Sequence, residues 1–326
     1  MGENRGGRKE MNSIIDKVKP KSGNVIKLMK AFEKEKDGLA SVKLPYRILN
    51  RMIGGGLKIG YTSFIAGPPG NGKSFWVYRL LLSLLDSSTA FKYLPLEYDA
   101  AEHLRRITAA RMKGWDMVSD SKSNADKRMG VFLNHPEERK AFERMEKNIF
   151  ENPSSVEVVD GIPTVSDVPY GSIIERIMHY SKDNDIIIID PITAIDPEKS
   201  KEGETAQQKT FIKRVKAIAK SHDCHIMMVS HTGKRQKYRG KETSLTMDDM
   251  AGTADFGRFC QYQMLLDFHD KKSSNVEVSY GKFEEVEHER TMIIGKSTFG
   301  PGKGQKIAFD FTSGAEMSEL GWIIND

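Results

Sequence analysis

"GPPGNGKS", residues 67–74, separates two apolar runs, "YTSFIA" at 61–66 and "FWVYRLLLSLL" at 75–85. The eight residues fit G-x-x-x-x-G-K-[ST], with a strand-like segment before them and a helix-like one after, the context in which this pattern cradles phosphate. Gly67, Gly70 and Gly72 let successive backbone N–H groups turn toward one anion, through dihedrals that side chains disfavour. Pro68, Pro69 and Asn71 complete the loop, and a helix beginning at Lys73 adds its N-terminal partial positive charge. In this pattern Lys73 reaches the β- and γ-phosphates and the Ser74 hydroxyl binds Mg²⁺. Phe75 ends the predicted nucleotide-contacting run. A Gly/Pro-rich surface turn would share the composition but not the complete match in strand-loop-helix context. The expected ligands are ATP and Mg²⁺.

From about residue 41 onward strand and helix patterns alternate. "FKYL" (91–94) precedes a helix over "AAEHLRRITAARM" (100–112), with Pro95 left outside the strand because it cannot donate to a ladder. "DIIIID" (185–190) is a β-branched run without polar alternation, the mark of a strand covered on both faces. The helix "AQQKTFIKRVKAIAK" (206–220) puts Phe211, Ile212, Val215, Ile218 and Ala219 on one side and leads into the strand "HIMMVS" (225–230). This order predicts an α/β fold, a mostly parallel twisted sheet flanked by helices. After 285 the pattern changes to hairpin-like segments, "RTMIIGK" and "QKIAFDF", separated by "STFGPGKG". The polar stretch 115–155 yields no element. Residues 1–40 read as an N-terminal extension whose Val25, Leu28, Met29 and Phe32 form one apolar helical face. That face has little of its own domain to pack on and is expected to dock on a neighbouring subunit, with 41–326 as the catalytic domain.

Bulk composition limits the alternatives. A chain of 326 residues suits one large α/β domain with an extension. A net charge of +5 does not by itself argue for a polyanionic partner, so local clustering must carry any such claim. Cys224 and Cys260 are the only cysteines and lack metal-ligand or disulfide spacing, which fits a reducing compartment. No apolar run approaches a membrane span, and the expected location is the cytoplasm.

A phosphate loop needs acids for its metal and its water. Asp190 ends the buried strand, where α/β folds place their ligand crevice, and is the Walker B candidate. Asp196, six residues on, reads as a loop acid. Glu97, in "YLPLEYDAAEHL" beyond the second strand, can orient and deprotonate the attacking water. The competing reading makes it a helix-capping acid, a role that Asp99 fills better.

Phosphate loop, strand ending in Glu, Walker B, then a strand ending in a polar residue and a basic loop: this order resembles the RecA-like core. More narrowly it resembles the DnaB-type hexameric replicative helicases and the helicase half of phage primase-helicases, over roughly 41–315. The lead-in "LPYRILNRMIGGGLKIGYTSFIAGPPGNGKS", the segment "DIIIIDPITAID" and the turn in "DDMAGTADFGRFCQYQMLL" follow the family's order. The resemblance makes His231 the sensor of the γ-phosphate. It makes the following "GKRQKYRGK" a central-channel DNA loop, with Lys234, Arg235, Lys237, Arg239 and Lys241 as phosphate contacts. A solvated charged loop is the bland alternative. A second channel loop is implied near "PEKSKEGE", diluted by Glu198, Glu202 and Glu204.

One departure stands out. The family's Lys-x-Arg carries a finger arginine into the neighbour's nucleotide site, whereas this chain has Lys296 in place and Thr298 where the arginine belongs. Either Lys296 or another cation such as Lys303 or Arg258 substitutes, or hydrolysis is slow, or a different partner supplies the arginine. Phe311, in "IAFDF", falls where the family places an aromatic against the base, and serves equally well as core. The implied activity is a ring-forming ATP-dependent translocase on single-stranded DNA in replication, a homo-oligomer expected to be a hexamer, working with primase, polymerase or loader proteins. The rivals are a RecA-like recombinase or mediator and a KaiC-like ATPase that does not act on DNA.

Overall fold

The isoleucine run after Asp185 shows how the chain is layered. Ile186 and Ile188 enter one hydrophobic core and Ile187 and Ile189 another, all four without exposed surface. Successive strand residues point to opposite faces, so both faces of this strand must be covered. Each such side chain contributes about 1.5–3 kcal/mol by leaving water.

The computed structural model describes residues 40–97, 100–112, 134–149, 156–159, 162–165, 168–198, 202–232, 259–313 and 315–324, with isolated positions at 127, 130, 237–238, 241–242 and 245. Val42–Asp326 forms one compact unit. The expected helix with Val25 and Phe32 lies outside the described residues.

The central sheet has eight strands, β1 (Thr62–Gly67), β2 (Phe91–Pro95), β3 (Ile186–Asp190), β4 (His225–His231), β5 (Tyr262–Ser279), β6 (Lys282–Ser297), β7 (Lys306–Ser313) and β8 (Glu316–Ile323). Their order is β6-β7-β8-β5-β1-β4-β3-β2. The five from β5 to β2 run parallel, with β1 between β5 and β4. Helices α1 (Arg47–Met52), α2 (Lys73–Asp86), α3 (Ala100–Met112) and α4 (Pro136–Asn148) share the core of Ile186 and Ile188. Helices α5 (Tyr170–Tyr180) and α6 (Glu204–Ser221) cover the opposite face. The apolar side expected of α6 is the buried one, with Phe211, Ile212, Val215, Ile218 and Ala219 all in contact with the sheet core.

The remaining strands are antiparallel. β5 pairs with β6, β6 with β7, β7 with β8, and β8 returns to β5 at Val276–Ile323 and Glu277–Trp322, so the four pairings close on themselves. A register shift between Phe268 and Lys272 bends the long β5–β6 hairpin, as bulges do.

Two expectations need correction. Strand β2 continues through Pro95, which lies opposite Asp190 in the parallel ladder. It does so because β2 is the sheet's edge, where a missing N–H leaves no ladder bond unmade. The stretch 115–155 contains α4, whose mean composition is polar but whose Ala141, Phe142 and Met145 are buried. Three apolar contacts on a 13-residue helix were too sparse a period to read.

Candidate active site

The phosphate loop leaves β1 at the carboxyl edge of the sheet and enters α2. Its first glycine is demanded by close approach, since a Cβ on Gly67 would lie 2.4 Å from the Leu266 carbonyl oxygen; one on Gly72 would meet only the movable tip of Met317, at 2.5 Å from Cε. Gly72 also has φ +93° at the helix N-cap, a conformation that disfavours side chains. Lys73 is buried, and its Nζ donates to the carbonyl oxygens of Gly67 at 2.7 Å and Pro68 at 2.8 Å. Burial lowers its pKa to about 8 against the opposing pull of Asp190 and Glu97. The ammonium is thus folded onto the loop's own backbone, beside the place where a triphosphate tail would lie.

The other candidates converge on this edge through strand register. His231 ends β4 directly opposite Gly67, and Asp190 ends β3 opposite Pro95, two residues before Glu97. Asp190 is buried, which pushes its pKa up to about 6 despite a hydrogen bond from Tyr93 and the charge of Lys73. Glu97 Oε1 lies 2.8 Å from His231 Nε2, and that hydrogen bond holds the Glu97 carboxyl below its ordinary range. Nε2–H donates to the carboxylate, and His231 Nδ1 has no partner among the described residues. The half-exposed carboxylate is open to water at this edge, while the bond from His231 that stabilises its ionised form also weakens it as a base. Asp196 is a loop acid as expected, accepting from the Val168 N–H at 2.8 Å.

Ser74 stands in the first turn of α2 and Asp190 at the end of β3, and together they would offer a divalent cation one hydroxyl and one carboxylate. One hydroxyl and one carboxylate suit Mg²⁺, which keeps waters and takes phosphate oxygens as its other ligands. Among the described residues no group of three His, Cys, Asp or Glu side chains forms an all-protein metal cage. The residues therefore fit a metal held jointly with a nucleotide.

The antiparallel strands wall the loop from the side. Phe311 on β7 is half-buried, meets Phe75 edge-on with ring centres 5.6 Å apart, and its ring tip would lie 3.5 Å from a Cβ on Gly72. Phe311 thus packs on the core and also borders the loop. Arg290 on β6 has no sequence signal that marked it. Its Nε donates to the Asn71 carbonyl, its Nη1 pairs with Asp310 at 2.8 Å, and its guanidinium lies 4.6 Å from the centre of the Phe311 ring and 5.0 Å from that of Phe268.

Lys296 and Thr298 lie elsewhere. Lys296 pairs with Gln263 near the start of β5, away from the carboxyl edge, and burial and nearby Lys216 lower its pKa. The Thr298 hydroxyl donates to the Gln261 carbonyl oxygen at 3.0 Å. Neither belongs to the cluster around Lys73, so any action on phosphate would be on another copy's nucleotide. Lys303 is exposed. Of the basic segment, Lys234, Arg235 and Arg239 lie outside the described residues, as does Arg258; the backbones of Lys237–Tyr238 and Lys241–Glu242 pair antiparallel.

Comparison with known proteins agrees with this architecture. The chain belongs to the AAA domain family, whose model matches residues 36–237. None of the curated proteins compared matches it. Among solved structures, a DnaB-like replicative helicase, described together with its interactions with primase, superposes with a TM-score of 0.63 at 18% identity, covering 90% of this chain and 66% of that one. A separately solved ATPase domain gives 0.62 at 17% identity, over 94% of this chain and 98% of the other. A KaiC-like protein of Pyrococcus horikoshii OT3 gives 0.53 at 13% identity, over 86% and 99%. What these structures share with the chain is the fold, a RecA-like mostly parallel sheet flanked by helices. No described helix is long and apolar enough to cross a membrane.

Proposed function

We propose that the chain hydrolyses ATP with Mg²⁺ to move along single-stranded DNA as a ring-forming replicative helicase, with 41–326 as the motor and 1–40 as an extension that docks on the neighbouring copy. Gly67, Pro68, Pro69, Gly70, Asn71, Gly72, Lys73 and Ser74 hold the triphosphate; Phe75 and Phe311 border the base. Ser74 and Asp190 would hold the metal, which when bound would supply positive charge to offset that developing on the phosphates. Glu97 orients the attacking water and accepts its proton.

The observation that carries this reading is the 2.8 Å contact between Glu97 and His231. It joins the water-activating acid to the last residue of β4, three residues before the cationic segment Lys234, Arg235, Lys237, Arg239 and Lys241. A γ-phosphate that engages His231 changes the position of the strand leading to that segment, and hydrolysis releases it, the logic of a phosphate-ordered switch. A hexameric ring supplies the cation missing at Thr298 from the next copy, with Lys296 as its nearest sequence counterpart. The replicative role makes primase, polymerase or loader proteins the partners and the cytoplasm the location.

The fold is shared with a KaiC-like protein as well, so an ATPase ring that does not act on DNA is the rival to test. Salt dependence separates the two. Log affinity for single strands should fall against log salt with a slope of about −0.7 per phosphate contact, and replacing Lys234 and Arg235 by Ala should flatten it by about 1.4. Fluorescence anisotropy on a labelled oligonucleotide measures this, and an unchanged slope would remove DNA from the reading. Forked-duplex unwinding then distinguishes a helicase from a strand-pairing recombinase.

A further inference from the structure

Behind Asp190 runs a chain of buried polar groups that phosphate chemistry alone does not require. The Tyr93 hydroxyl on β2 donates to Asp190 Oδ2 at 3.0 Å. Its oxygen lies 3.3 Å from His103 Nδ1 on α3, and the Tyr78 oxygen on α2 lies 3.0 Å from the same nitrogen. Tyr78 and Tyr93 have no exposed surface and His103 has 3%. Both phenol rings meet the imidazole edge-on, with centres 5.9 Å and 5.3 Å away.

Proton positions follow from donor counting. A phenol has one proton, and Tyr93 gives its own to the carboxylate. The imidazole must then be the donor toward Tyr93, with hydrogen on Nδ1 shared between the two phenol oxygens. Polarity in the chain runs from His103 through Tyr93 to Asp190, and each donor strengthens the next.

Four elements meet here, the edge strand β2 that carries Tyr93 and three that lead to the site. α2 begins with the phosphate loop, α3 follows Glu97, and β3 ends in Asp190. We infer that Tyr93 is a positioning residue for the magnesium-holding carboxylate, and that Tyr78 and His103 brace it from the two helices. This rests on the ATP–Mg²⁺ reading above and adds to it the group that fixes the acid. A carboxylate that gives one oxygen to a metal needs the other anchored, and loss of such an anchor typically costs tenfold to a hundredfold in metal affinity.

The test is binding of a fluorescent ATP analogue titrated with Mg²⁺, and separately in EDTA, for the wild type and variants. Tyr93→Phe keeps the ring and removes the anchor. It should raise the Mg²⁺ concentration for half-maximal binding about tenfold or more while leaving affinity in EDTA within about twofold. A generally damaged fold would move both. His103→Leu should shift the Mg²⁺ midpoint several-fold in the same direction. His103→Asn, whose amide nitrogen reaches the position of Nδ1, should restore most of it. If Tyr93→Phe does not fold, the His103 pair carries the test, and equal midpoints for Leu and Asn overturn the inference. A wild type that binds nucleotide with an unshifted Tyr93→Phe overturns the brace alone. A wild type that binds no nucleotide with Mg²⁺ overturns the parent reading and the brace with it.

Discussion

The parallel half of the sheet and the antiparallel half meet at β5, and they do different work. Strands β1, β2, β3 and β4 have five to seven residues and end together at one edge, so their terminal residues, Gly67, Pro95, Asp190 and His231, fall into one cluster. The antiparallel strands run eight to eighteen residues and change register along their length. They deliver bulk and one cation: Met317, Phe311 and Arg290 against the flank of the phosphate loop. Parallel strands that all point one way collect chemistry at their carboxyl ends. A strand system that closes on itself builds a wall instead.

That contrast can be broken first on the parallel side. Glu97→Gln keeps the size of the side chain and removes the base. Hydrolysis should fall about 10²- to 10⁴-fold with ATP binding retained, as read from single-turnover rates and equilibrium binding. A variant of near wild-type rate would return Glu97 to a helix-capping role.

Asp190 offers a thermodynamic probe of the same half. Its folded pKa of about 6 exceeds the ordinary carboxylate value, so between about pH 4 and 6 the folded protein holds a proton that the unfolded chain releases. Stability from this group is present below that window and lost as pH rises through it. In metal-free denaturant titrations, Asp190→Asn should therefore gain on the wild type across the window, by about 3 kcal/mol at most. A difference that stays flat with pH would mean that the carboxyl is not held protonated by burial.

The antiparallel side should respond more weakly in rate and directly in stability. Arg290→Ala takes the cation from Asp310, which keeps only the backbone N–H groups of Glu289 and Phe311, and takes the guanidinium donor from the Asn71 carbonyl, at a cost of about 1–3 kcal/mol in thermal or chemical unfolding. Arg290→Lys should recover little, because an ammonium cannot lie flat between Phe268 and Phe311 while reaching both acceptors. Full recovery by lysine would reduce the wall to a matter of charge.

How much of this was legible follows from the range over which each signal acts. The phosphate loop is local, eight consecutive residues whose roles depend on backbone conformation and on neighbours in the chain, so a linear pattern holds it whole. Ile186–Ile189 likewise carries its burial in its own composition. Pro95 was misjudged because edge or centre is a property of strand order, which no stretch of five residues contains. Arg290 and Tyr93 carried no mark because their partners lie 219 and 97 residues away, and a lone Arg or Tyr in a strand is ordinary.

By itself the sequence determined the layered α/β class, the position of the phosphate loop and the acid that ends β3, since each is encoded in short-range periodicity and in residue types with narrow conformational uses. Only the tertiary structure decided that Glu97 meets His231 across 134 residues, that Asp190 is anchored by Tyr93 and that the loop leans on Arg290 and Met317. Those contacts depend on strand order, register and the closure of β5 to β8, which emerge when many weak preferences are satisfied at once and are written at no single position.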